Sequence, residues 1–99
     1  MSETYNPPEM FSSNSLIKSM DEYKHKYQRS LDDPDGFWAE EAEKFVWFDT
    51  WNTVRQFNYD VRKGRISIEW FKGGKTNIAM NCIDRHLETR GEQIAILWE

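Results

Sequence analysis

Five Trp, six Phe and four Tyr must find burial in a chain of 99 residues that is otherwise polar, with 30% charged side chains and a mean hydropathy of −0.85. That mismatch limits the folds open to the chain. A domain of this size buries only about 60–65% of the surface its unfolded form exposes, so its stability is thin. Either the rings make one dense core, or some of them lie on a face that expects a partner. The length allows at most one small domain.

The net charge of −4 and pI of about 5.2 disfavour general binding to a phosphate backbone, so no nucleic-acid partner is expected. One local exception is Lys63, Arg65, Lys72 and Lys75 beside Trp70 and Phe71. Basic and aromatic residues interleaved in this way are what single-strand binders use, and the bland alternative is a charged loop. The single cysteine, Cys82, cannot close an internal disulfide, which favours a reducing compartment. No run approaches the roughly 18 apolar residues of a membrane helix, and the N-terminus lacks the pattern of a secretory signal. A cytoplasmic protein without a membrane partner is the expectation.

Along the chain, residues 1–15 read as a flexible tail, because Asn6-Pro7-Pro8 and Ser12-Ser13-Asn14-Ser15 disfavour regular structure. Met20, Tyr23, Tyr27 and Leu31 recur at helical steps, predicting a helix over 19–30 with Ser19 as a possible N-cap. Asp33-Pro34 restarts a helix over 34–46, with Phe37, Trp38, Ala42 and Phe45 on one face. Joined by Leu31-Asp32-Asp33, the two should form a helical hairpin. Trp47, Phe48 and Trp51 fit neither period and read as an irregular apolar plug over 47–53.

Strands are predicted at 54–60 and 66–71, linked through Asp60–Gly64 with Gly64 at positive φ. Gly73-Gly74 then turns sharply, and Thr76 or Asn77 caps a helix to about residue 89, which Gly91 ends. Gln93–Glu99 reads as a final strand with Ile94, Ile96 and Trp98 on one face. The sum is a small α+β partial domain over 16–99, with about three helices and two or three short strands. Its ring cluster should be Phe37, Trp38, Phe45, Trp47, Trp51, Trp70 and Trp98. The last strand should begin something larger.

Candidate chemistry is sparse. Cys82 and His86 are four apart on the predicted helix and could share a side, but Asp84 lies on another face and cannot orient the histidine. Nothing marks a pocket or an oxyanion donor, so the bland reading is a small core thiol beside a hydrogen-bonded imidazole. His25, His86 and Cys82 lack zinc-site spacing, and Asp32, Asp33 and Asp35 lack a calcium-loop pattern, so no metal is expected. Glu40, Glu41 and Glu43 belong to a solvated face. Gly73-Gly74-Lys75-Thr76 places Lys-Thr at a helix start, but Glu69 stands where a phosphate loop needs glycine.

In order along the chain stand Tyr23, Tyr27 and Ser30, then Asp33-Pro34 with Phe37-Trp38, Phe45, Trp47 and Trp51. Trp70-Phe71, Gly73-Gly74, Asn77, Asn81-Cys82, Asp84-Arg85-His86-Leu87 and Ala95-Ile96 with Trp98-Glu99 follow. This series, covering about residues 5–99, resembles the N-terminal region of AMP-forming acetyl-CoA synthetases, of the adenylate-forming superfamily. The form of Asn81–His86 points to acetate or propionate enzymes; acetoacetate enzymes usually differ there.

The resemblance implies a ligase that makes acetyl-adenylate from ATP and acetate, then acetyl-CoA. It also implies an N-terminal segment that braces the nucleotide-binding domain. The family's phosphate loop, ribose-binding acid and catalytic lysine have no counterpart here. No catalytic, cofactor-binding or metal residue is therefore carried over, and this chain alone is expected to be inactive. ATP with Mg, and CoA, are implied for the full-length enzyme, and the remainder of the synthetase is the implied partner. Asp33, Pro34, Phe37, Trp38, Trp70, Phe71, Gly73, Gly74, Asn77, Asn81, Asp84, Arg85 and His86 are assigned as a structural signature of packing, turns and caps. A stand-alone interaction module and a propionate–CoA ligase fragment are the alternatives.

Overall fold

A computed structural model describes residues 3–99. The chain forms two compact units, Met1–Phe37 and Trp38–Glu99, with the division inside one helix. The secondary structure is α+β, as the sequence predicts, with helices and, among the described residues, four short strands in two small sheets.

In the first unit, Glu9–Asn14 coils into a short helix, α1, where the sequence predicts an irregular tail. Pro8 supplies the start: its carbonyl accepts from the amides of Phe11 and Ser12. The polar run then bonds back onto its own backbone, Asn14 to the Met10 carbonyl at 2.8 Å and the Ser15 hydroxyl to Phe11 at 2.7 Å. Residues 1 and 2 of the expected tail lie outside the described residues.

Helix α2, Met20–Asp32, matches its expectation and runs two residues longer. The Ser19 hydroxyl oxygen accepts from the Glu22 amide at 3.1 Å, and the Glu22 carboxylate accepts from the Lys18 amide at 2.9 Å. Each satisfies a donor the helix start leaves open. Pro34 ends α2, since the residue before a proline is driven to extended backbone, and Asp33 has φ −136°. The Asp33 carboxylate then accepts from the Gly36 amide at 3.1 Å and starts α3, Pro34–Ala42. A helical hairpin would cover the apolar stripe of α2. Instead Met20, Tyr23, Tyr27 and Leu31 are each half exposed or more, and Tyr23 stacks on Tyr27 at 6.2 Å.

In the second unit, α3 stops at Ala42, four residues before the predicted end. The chain tightens there through three-residue bonds, Lys44 amide to Glu41 and Phe45 amide to Ala42. The Trp47 indole N–H takes the Ala42 carbonyl at 2.8 Å. The expected plug is in part a strand, β1 (Trp47–Asp49), paired antiparallel with β4 (Lys75–Thr76). Strand alternation explains how the two rings of β1 are shared out: Trp47 turns inward and Phe48 outward. The predicted hairpin is present as β2 (Thr53–Asn58) and β3 (Ser67–Lys72), in the register Thr53↔Lys72 to Asn58↔Ser67. Gly64 has the expected positive φ, +123°.

Trp47, Trp51 and Phe71 form a three-ring clasp, with centroids 5.1, 5.5 and 5.2 Å apart. Phe71 holds φ +48°, a conformation that bulky residues rarely adopt. A turn follows in which the Gly74 amide donates to the Phe71 carbonyl at 2.9 Å, with Gly73 at φ +83°. The edge of Trp38 meets Trp70 at 6.2 Å. Two expected members of the ring cluster stand outside it. Phe45 is exposed in the tightened turn after α3, and Trp98 is 91% exposed. Phe37 belongs to the first unit, where the Arg29 guanidinium lies 5.9 Å over its ring. Ala42, 5% exposed, is the single buried hydrophobic residue among the described residues.

The predicted helix from Asn77 to about residue 89 is broken. It runs as α4 (Ile78–Cys82), a 3-10 turn (Asp84–His86) and α5 (Leu87–Arg90), separated at Ile83 with φ −124°. Asn81, Cys82 and Asp84 are weak helix formers, and Ile78, Ile83 and Leu87 stay exposed, so no packing enforces continuity. Residues 93–99 form no strand, since no neighbouring strand pairs with them.

A Cβ on Gly74 would sit 2.7 Å from the Trp47 ring and 3.0 Å from the Phe71 carbonyl, and one on Gly73 would meet Asn52. Gly74→Ala and Gly73→Ala are therefore each expected to destabilise the chain by about 1–3 kcal/mol. Gly64→Ala meets no neighbour but forces a side chain to φ +123°, and is expected to cost about 1–3 kcal/mol through backbone strain alone. Urea titration followed by tryptophan fluorescence measures all three, and a Gly74→Ala variant as stable as the parent would contradict the clasp, since Gly74 has no positive φ to add strain.

Candidate functional site

Two of the signature residues, Asn81 and Arg85, meet on the short link between α3 and β1. Val46 has no strand opposite it, and the side chain of Asn81 takes that place. Its Oδ1 accepts from the Val46 amide at 2.7 Å, and its Nδ2 donates to the Val46 carbonyl at 3.1 Å. The same carbonyl accepts from the Thr76 hydroxyl at 2.6 Å. One turn further on, Arg85 donates to the Lys44 carbonyl at 2.9 Å and to Asn81 Oδ1 at 3.3 Å. The carbonyls of Ala42, Lys44 and Val46 are thus taken in turn by Trp47, Arg85, and Asn81 with Thr76. Asn77 caps α4 by accepting from the Met80 amide at 3.1 Å, which selects it over Thr76 as the cap.

Trp38, Trp70, Phe71 and Gly74 belong to the ring contacts, and Asn77, Asn81 and Arg85 to this latch. Asp33, Pro34 and Phe37 open α3 in the first unit. Asp84 and His86 frame the 3-10 turn, where the His86 amide donates to Ile83 at 3.0 Å. Sequence reasoning missed Val46, and named Thr76 only as an alternative cap. It also missed Arg55, whose guanidinium lies 4.8 Å from the Phe57 ring and 5.7 Å from Trp70. Val46 offers only backbone to the latch, so nothing in its side chain could have signalled it.

The polar groups of Gly74, Lys75 and Thr76 are engaged within the fold. In the glycine run, the Gly74 amide serves the turn, the Thr76 hydroxyl serves Val46, and Lys75 pairs with Asp49 at 3.3 Å. This run does not fit a phosphate cradle. Among the described residues no group of three His, Cys, Asp or Glu could hold a metal ion. Cys82 is an exposed free thiol that lines a shallow cleft with His86, Leu87 and Ile94, and the break at Ile83 removes the helical register expected to align it with His86. Of the basic residues, Lys72 pairs with Glu69 at 3.3 Å and Lys75 with Asp49. Glu41 pairs with Lys44, and Glu40 and Glu43 are exposed. Among the described residues no helix is long and apolar enough to cross a membrane.

Fold and latch together define a small α+β partial domain whose marked side chains hold loops and turns. Residues 23–82 match the family described as acetyl-coenzyme A synthetase N-terminus. The chain belongs to that family, and the part of its relatives that it matches is about an eighth of their length. The acetyl-coenzyme A synthetase of Magnetococcus marinus is 53% identical over 87 residues, which cover 87% of this chain and 13% of the relative. That of Halorhodospira halophila is 47% identical over 102 residues, covering 100% of this chain and 15% of the relative. A chloroplastic/glyoxysomal acetyl-coenzyme A synthetase of Arabidopsis thaliana is 47% identical, covering 94% and 13%. The chain therefore spans a small part, 13–15%, of the length of these curated relatives.

Asn81→Ala is expected to cost about 1–3 kcal/mol, because it strands the Val46 amide and leaves the Val46 carbonyl to the Thr76 hydroxyl alone. Hydrogen exchange at the Val46 amide checks it directly: protection should collapse in the variant. At the hairpin tip, the Arg62 side chain, and then its amide, hold the Asp60 carboxyl below its usual pKa. The Asp60 contribution to stability is thus present above the unfolded pKa and lost as pH falls through the lower folded one. An NMR titration should show Asp60 low in the native chain and raised again in Arg62→Gln.

Proposed function

We propose that this chain serves as the non-catalytic N-terminal brace of an acetate–CoA ligase, seated against the nucleotide-binding body. The reaction of the whole enzyme is ATP + acetate + CoA to acetyl-CoA + AMP + diphosphate. In this reading ATP with Mg, and CoA, are held by the remainder of the synthetase, and the setting is the cytoplasm. The signature residues shape the brace and take no part in the chemistry. Propionate in place of acetate fits the same motif series, because the acyl pocket is assigned to the body.

Membership of the family motivates the reading, and exposed surface is the observation that carries it. The chain exposes 9399 Å². Even two separate compact bodies of the sizes of its units would expose only about 7,000 Å². A surplus of about 2,000 Å² is what one side of a large obligate interface presents. Its apolar share includes Phe45, Phe48, Ile83 and Leu87, all exposed.

Co-expression with a synthetase body lacking its own N-terminal region tests this. The expected outcome is a complex that melts several degrees above the body alone and supports acetate-dependent ATP–pyrophosphate exchange, with no exchange by the chain alone. A body that is equally stable and active without the chain would overturn the proposal. Capture of an unrelated partner instead would favour the stand-alone interaction module.

A further inference from the structure

We propose that the apolar face of the β2–β3 hairpin, centred on Phe57 and Ile68, is the surface by which the chain seats on the remainder of a synthetase. This rests on the brace reading and specifies where contact is made.

The register makes the hairpin two-faced. Arg55↔Trp70 and Phe57↔Ile68 place four side chains on one side, while Gln56↔Glu69 and Asn58↔Ser67 occupy the other. The second side is polar toward the tip, and at its base it carries Val54 and Phe71, the latter held in the three-ring clasp; Lys72 bonds to Gln56 at 3.3 Å and pairs with Glu69. The first side is apolar and covered at one end only, where Trp38 meets Trp70. Arg55 stiffens it by lying over both Phe57 and Trp70. Beyond that point Phe57, Tyr59, Ile66 and Ile68 are each between 46% and 63% exposed, with Phe57 against Tyr59 at 5.1 Å. Antiparallel sheets bury one face and solvate the other, and a two-stranded sheet needs such cover to be stable.

The occupant follows from size. A surplus of about 2,000 Å² calls for an occupant that covers a large share of this chain. The net charge of −4 on each copy opposes self-association. A body several times larger than this chain is what its relatives carry, since the match spans 13% to 15% of their length.

A full-length synthetase carrying this chain in place of its own matched region provides the test. Hydroxyl-radical footprinting of the free chain and of the chimera should show Phe57 and Tyr59 protected several-fold in the chimera. Ile68→Asp should lower the melting temperature of the chimera, while Ser67→Asp on the opposite face leaves it unchanged. An active chimera in which Phe57 and Tyr59 stay as reactive as in the free chain would overturn this surface and leave the brace reading standing. A chimera whose stability and activity match those of a body with no N-terminal region removes both. Concentration-dependent dimerisation of the free chain, abolished by Ile68→Asp, would assign the face to a second copy and overturn the proposal. If Ile68→Asp does not fold, the unmodified chimera's footprint decides alone.

Discussion

The bond pair between the Asn81 amide and the Val46 backbone organises the second unit. It supplies, from a side chain, the donor and acceptor that a neighbouring strand would otherwise provide. With Val46 fixed, Trp47 enters β1 at the place where it can pair with Thr76 and cap the Ala42 carbonyl. The indole ring is then delivered to Trp51 and Phe71. The link from α3 to β1, the small sheet and the clasp all follow from one amide group.

That economy goes with a core that hardly exists. Ala42 is the only buried hydrophobic side chain among the described residues, and the rings gain most of their contact from one another. Edge-to-face pairs contribute about 0.5–1.5 kcal/mol each beyond burial, too little to hold a chain of this size by themselves. Local hydrogen bonds, caps and ring pairs fix conformation here, while the burial that normally stabilises a domain is left to whatever covers the exposed faces.

Much of this was legible in the sequence where the signal was local. Ser19 and Asp33 announce helix starts through short polar side chains, Pro34 fixes a boundary, and alternation from Ile66 to Trp70 marks a strand. The strand pairing of residues 47–49 was not legible, because its partner is two residues long and lies 26 residues further on. Nor was the break at Ile83, since apolar spacing from Ala79 to Leu87 suits a continuous helix and cannot report that nothing packs against it. For residues 93–99 the alternation of Ile94, Ile96 and Trp98 is present, but a strand is a property of two segments and only one is here. The signature residues were recognisable as a set; that Asn81 acts on Val46 was hidden, because backbone groups carry no letter.

The perpendicular contact of Trp47 with Trp51, at 5.1 Å and 69°, has an optical consequence. Two indoles held this close and at a fixed angle couple their electronic transitions, which gives opposite-signed bands in circular dichroism that free tryptophans lack. Trp98 stands alone in solvent and contributes none of that signal. The polypeptide therefore carries two intrinsic chromophore pairs, readable without a label: the share from Trp47 and Trp51 is lost when their segments part, and that from Trp38 and Trp70, 6.2 Å apart, reports separately on α3 and β3.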